Sequence, residues 1–173
     1  VAKLENKTVL TVAAMELRGI YVDVAMLETV NHQLERQARG LEEDILEVLH
    51  GSNDLPGMNS LNINAPDQVK SALADKGIVL EDTNDASLRP LAHRYPFIDK
   101  ILKHRHLTRI SSTTLQPFKG HILAQTGRIH ASYHQISSPS GRMACSDPNI
   151  QQVPREKQVR TCFKPETGNL YII

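Results

Sequence analysis

Residues 96–134 read PFIDKILKHRHLTRISSTTLQPFKGHILAQTGRIHASYH, and the fold class turns on this stretch. Pro96 suits a first helical turn, and Phe97, Ile101, Leu102 and Leu107 are spaced as on a helix, which predicts helix from Pro96 to about His121. Lys103, Arg105 and Arg109 stand there among small hydroxyl residues, with His104 and His106 flanking Arg105 on what reads as a solvated face. At Gly127-Arg128 the period changes to two, and Ile129, Ala131 and Tyr133 alternate with polar neighbours as in a strand. Helices that give way to strands predict an α+β arrangement, with a helical subdomain on the rim of a sheet domain.

Working toward the N-terminus, the pattern stays helical. Ser87 or Asp85 is expected to cap a short helix before Pro96, and Pro66 to open another that ends at Gly77. A loop rich in Gly, Pro, Ser and Asn fills residues 51–64. Before it, Leu27, Val30, Leu34, Ala38, Leu41, Ile45 and Val48 recur at steps of three and four, one apolar stripe on a long helix that Asp23 caps. Such a stripe fits half of an antiparallel helix pair and fits a dimeric coiled coil as well. A first helix over 4–18 stops at Gly19, and Ile20-Tyr21-Val22 is extended. Toward the C-terminus, a short strand is expected at Met143–Cys145, a short polar helix between Pro154 and Pro165, and a strand at Asn169–Ile173. That last apolar run has no polar tail, so the polypeptide is expected to continue within a core strand.

Composition narrows the function classes. A net charge of +1 means that any polyanion must be met by a local cluster of Lys and Arg. Aromatic residues at 4% with no Trp argue against a stacking platform for single strands. Two cysteines, Cys145 and Cys162, make no disulfide framework and suit a reduced cytosol; no basic leader precedes an apolar stretch, and no run approaches a bilayer span. Phosphate-loop, His-Glu-x-x-His and Gly-x-Ser-x-Gly motifs are missing from the sequence. His130, His134 and Cys145 could be imagined around zinc, but no Cys-x-x-Cys pair supports them, and surface histidines are the better expectation.

Residues 140–160, SGRMACSDPNIQQVPREKQVR, carry the chemistry. Arg142, Asn149, Gln151, Gln152, Arg155 and Arg160 crowd around a turn that Pro148 and Pro154 stiffen. Amides at such a place can satisfy local backbone groups. They can also donate to purine N3 and pyrimidine O2, acceptors that every base pair presents in equivalent minor-groove positions. Donors aimed there sense pair geometry without reading sequence.

The segment SGRMACSDPNIQQVPR resembles the Thr-Gly-Arg-…-Ser-x-Pro-Asn-Leu-Gln-x-Ile-Pro segment of A-family (bacterial polymerase I-like) DNA polymerases. The resemblance extends in order through VLTVAAMELRGIYVD, LNINAPDQVKSAL, LKHRHLTRISSTT and GRIHASYHQ, over nearly the whole chain. It implies a mainly helical thumb followed by the first strands of an antiparallel palm sheet: residues 1–24 a palm-edge helix and turn, 25–124 the thumb, 125–173 the start of the palm, cut before the first catalytic Asp. It implies that Arg142, Asn149 and Gln152 reach the minor groove and that Gln151 and Arg155 follow the same strand path. Arg105, Thr108, Arg109, Ser112 and Thr113 would hold phosphates, and Asn64 would touch the backbone.

The departures are specific. Ala65 stands where the family has Ser, Met143-Ala144-Cys145 where Leu-Ser-Ser is common, Gln152 for a frequent Asn, and Arg109 for Lys. The spacing from Pro154 to Val159-Arg160 is short, as in phage-type members. The implied activity is DNA-directed DNA synthesis in replication or repair, using Mg²⁺ held by parts of the parent protein outside this chain, which itself supplies no catalytic or metal-binding residue. Implied partners are primer–template duplex DNA and, for the parent, dNTP; a monomer away from membranes, in the cytoplasm of a bacterial or phage-infected cell, is expected. A non-catalytic duplex clamp and a helical interaction module are the alternatives.

Overall fold

The computed structural model describes residues 2–50, 61–166 and 168–169. The chain forms two compact units, one of residues 32–111 and one of residues 1–31 with 112–173. The boundaries expected at 24/25 and 124/125 both fall inside the second of these. The fold is α+β.

The unit of residues 32–111 is helical. It holds most of α2 (Val24–His50), then α3 (Pro66–Asp75), α4 (Asp85–Leu88) running into a 3-10 turn at Arg89–Leu91, and α5 (Pro96–Ile110). Leu34, Ala38 and Ile45 of the predicted stripe are buried, but Val48 is 42% exposed and Leu49 takes its place. At 3.6 residues per turn Leu49 lies about 40° from Ile45 around the helix and Val48 about 60°, so the true helical period favours the leucine. Ile45, Leu49, Leu61, Ile63, Val69, Leu73, Leu88, Ile98 and Ile101 share one core. Each such aliphatic side chain contributes about 1.5–3 kcal/mol by leaving water. The cap of α4 is neither Asp85 nor Ser87, as expected, but Asn84, whose side chain accepts from the Ser87 amide at 2.9 Å. Asp85 is already inside the first turn and pairs with Arg89 one turn on. The expected loop at 51–64 lies outside the described residues except for 61–64.

In the other unit, α1 (Ala2–Arg18) ends at Gly19, where φ is +63 and a Cβ would stand 2.6 Å from the Ile129 carbonyl oxygen. Only glycine fits there. The chain then enters β1 (Ile20–Tyr21), and Asp23 caps α2 by accepting from the Met26 amide at 3.0 Å. After α5 the helix continues as a π segment, Ser111–Leu115, and as α6 (Gln116–His121). Strands β2 (Ile122–Leu123) and β3 (Arg128–Ile129) join β1 in an antiparallel sheet of order β1-β3-β2, with Ile20 and Ile122 both opposite Ile129. β4 (Ser132–His134) instead pairs with β5 (Ala144–Ser146), placing Tyr133 opposite Cys145. The single strand expected from Arg128 to Tyr133 is thus two, and β2 was not expected. Two-residue strands carry no period, so their partners define them. The unit closes with a 3-10 turn at Ile150–Gln152 and α7 (Lys157–Arg160). The strand expected at 169–173 lies, but for Asn169, outside the described residues.

Candidate nucleic-acid interface

Within the unit of residues 1–31 and 112–173, the polar turn is built from β5 outward. Gly141 has φ +74 with open space where a Cβ would go, and Arg142 follows it, exposed. After β5, Asp147 adopts φ 55, which its short side chain tolerates, and a cis peptide joins it to buried Pro148. Ser146 Oγ donates to Asp147 Oδ2 at 3.0 Å, and His134 Nε2 meets the same hydroxyl at 2.8 Å. With the serine proton committed to the carboxylate, His134 Nε2 is the donor.

The amides divide between local and outward roles. Asn149 Oδ1 accepts from the Gln151 amide at 3.1 Å and so caps the 3-10 turn. Its NH₂ group is not consumed by that bond. Gln151 turns back, its Nε2 donating to the Met143 carbonyl at 3.2 Å, and braces the turn. Gln152, Arg142 and Arg155 are exposed, and among the described residues their side chains have no hydrogen-bond partner. Arg160 Nε donates to the Pro154 carbonyl at 3.2 Å.

Thr113, Thr114, Phe118, Pro148, Asn149 and Gln152 line one cavity of about 290 Å³. The π segment supplies the first two. Its Ser-Ser-Thr-Thr run offers hydroxyls that compete for backbone groups, a setting for the wider turn. Thr114 and Leu115 are buried, whereas Ser112 and Thr113 face solvent. Residues 35 positions apart in sequence are thereby brought together, Thr113 and Pro148 among them.

In the unit of residues 32–111, Asn64 and Thr108 line a different cavity of about 290 Å³. Asn64 and Arg109 are exposed and Thr108 is half-buried. Arg105 departs from expectation. Its Nε donates to the Ile63 carbonyl at 2.8 Å, Nη1 to the Thr83 carbonyl at 2.5 Å, and Nη2 reaches Thr83 Oγ1 at 3.3 Å. Ile63 and Thr83 are 1% and 2% exposed, so their carbonyls need donors from within the fold, and Arg105 supplies them.

The histidines also need correction. His104 is 4% exposed rather than solvated, and its Nδ1 has no partner. It lines the cavity with Asn64 and Thr108, and burial holds its pKa below the ordinary 6.5, partly opposed by Glu42. The available signal was its spacing, three residues after Ile101, which is itself three after Ile98. His130 is half-buried, with Nδ1 2.8 Å from the Glu16 carbonyl oxygen and Nε2 buried without a partner. Cys145 and Cys162 are both buried and unpaired, and burial pushes the Cys162 thiol up to about 11.

The profile of DNA polymerase family A matches residues 24–173. The chain belongs to that family. The thermostable DNA polymerase I of Thermus thermophilus is 29% identical over 175 residues, covering 93% of this chain and 20% of that protein. DNA polymerase I of Synechocystis is 32% identical over 174 residues, 92% of this chain and 17% of that one. The chain therefore spans about a fifth of the length of these relatives. Among solved structures, the POL domain of Pol1 from M. smegmatis, in complex with DNA primer-template and dNTP, superposes with a TM-score of 0.71 at 28% identity. That likeness covers 88% of this chain and 27% of the other. The divalent ions that family A enzymes use have no ligand set among the described residues, where no group of three His, Cys, Asp or Glu could hold a metal. No helix of the described residues is long and apolar enough to cross a membrane.

Proposed function

We propose that the whole protein is a DNA-directed DNA polymerase and that this chain supplies its grip on primer–template duplex. The observation that carries this is the set of exposed donors on one rigid turn, Arg142, Gln152 and the Asn149 NH₂ group, in a family A chain. Arg142 offers a forked donor and each of the two amides an NH₂ group, able to bond purine N3 and pyrimidine O2. Asn149 is held by its own cap and Gln151 by Met143, so the turn arrives at the duplex already ordered. Thr113, beside Asn149 and Gln152, offers a hydroxyl to a phosphate, as does Ser112.

In the helical unit, Asn64, Thr108 and Arg109 are the proposed phosphate contacts. Such contacts position the duplex without reading sequence. Arg155 continues the minor-groove path, and Gln151 serves as its brace. Mg²⁺, held by parts of the whole protein outside this chain, would supply electrostatic stabilisation of nucleotide transfer. The bacterial relatives and the two unpaired, buried cysteines support a cytoplasmic setting.

Fluorescence anisotropy of this chain with a labelled primer–template duplex tests the grip. Affinity should fall log-linearly with salt and should not depend on sequence. No duplex binding at low salt would overturn the assignment. Primer extension by the whole gene product separates a polymerase from a clamp, which would bind the duplex and incorporate nothing.

A further inference from the structure

We propose that Arg105 is a positioning residue that sets Asn64 for the duplex and does not itself touch phosphate. The inference rests on the duplex-binding assignment above. The peptide group between residues 63 and 64 has two polar ends, and both are tied. Its carbonyl, on Ile63, accepts from Arg105 Nε at 2.8 Å, and its N–H, on Asn64, donates to Asn62 Oδ1 at 2.9 Å. A peptide plane bonded at both ends is restrained against rotation, and so is the direction in which Asn64 leaves the backbone.

Neighbouring features show why such a device is placed here. α3 begins two residues later, and its N-cap, Ala65, makes no side-chain hydrogen bond. A Ser, Thr, Asp or Asn there would have anchored the entry to the helix. Instead the Asn62 amide donates to Gln68 Oε1 at 2.8 Å, and Arg105 reaches in from α5. The same guanidinium holds the Thr83 carbonyl and hydroxyl just before α4, so one side chain ties α5 to two connecting segments. Thr108, three residues along α5 from Arg105, lines the cavity that Asn64 lines. Arg105 thus sets one member of a proposed contact pair, and its own helix carries the other. Lysine could not do this, because one ammonium cannot span two carbonyls and a hydroxyl in the geometry of a planar fork.

The test is a double-mutant cycle on duplex affinity, with the salt slope and melting temperature measured for each protein. Arg105→Ala should weaken duplex binding by about fivefold at fixed salt, the effect of one lost hydrogen bond, with the salt slope unchanged. On an Asn64→Ala background the same substitution should change affinity no further. Arg105→Lys, which keeps the charge and is the milder change should the alanine variant fail to fold, should also weaken binding with an unchanged slope. A slope reduced by about one in Arg105→Ala, with effects that multiply in the double variant, would show a direct phosphate contact and overturn the proposal. Full affinity in Arg105→Lys would overturn it too. A lowered melting temperature with unchanged affinity would make Arg105 merely structural. If the unaltered chain binds no duplex, the duplex-binding assignment itself fails, and this inference fails with it.

Discussion

Helix α5 and the turn at 141–155 each carry two arginines proposed from sequence for the same partner, and they treat them differently. On α5, Arg105 lies over the buried carbonyls of Ile63 and Thr83 and is bonded to them. On the turn, the carbonyls of Pro154 and Met143 are met by Arg160 and Gln151, and Arg142 and Arg155 remain exposed without partners among the described residues. What decides an arginine's role is whether a carbonyl nearby still lacks a donor. Its residue type and its place in a polar motif do not.

The two regions should therefore fail in different ways. The largest expected effect is on stability: Ile101→Ala, at a fully buried position of α5, should cost about 2–5 kcal/mol in denaturant unfolding. Gln152→Ala on the exposed turn should stay within about 0.5 kcal/mol. Comparable losses at both positions would mean that the turn is part of a core after all.

Next comes Arg142→Ala in the whole protein. Single-turnover extension of a matched primer should slow by the equivalent of about 1–3 kcal/mol, and extension from a mispair should change less, because a mispair already displaces the acceptor. Equal slowing on both would reduce Arg142 to a general duplex contact. Arg109→Ala is expected to be milder. It should lower the slope of log affinity against log salt by about one without altering sequence preference. An unchanged slope would remove Arg109 from the phosphate set and leave α5 with no cationic contact among those proposed.

The smallest effect concerns His104. Its folded pKa lies below 6.5 because burial disfavours the charged ring, so the unfolded state binds more protons as the pH drops. Stability should be full above about pH 6.5 and should decline as the pH falls below it. Arg105 beside it acts in the same direction, and Glu42 opposes. His104→Gln should flatten the melting temperature between pH 7 and pH 5. A wild-type curve already flat over that range would show that the ring is solvated.

Much of the helical unit could be read without coordinates. Leu34, Ala38 and Ile45 repeat with the helical period, Pro66 and Pro96 mark first turns, and Gly77 marks a stop, because these signals arise within one or two turns of the chain itself. The composition of the 140–160 turn, with its two prolines, amides and arginines, was equally plain. Tertiary structure alone decided the rest. β2 exists because β3 lies beside it, and β3 and β4 separate because their partners, β1 and β5, belong to different sheets. Asn149 and Gln152 meet Thr113 across a long stretch of sequence. Arg105 reads as a phosphate contact and His104 as part of a solvated face until Ile63, Thr83 and Glu42 are placed around them. Local sequence sets the period and the stops, since those follow from neighbouring residues. Which polar groups face outward depends on whether distant backbone needs their hydrogen bonds, and only the packed chain settles that.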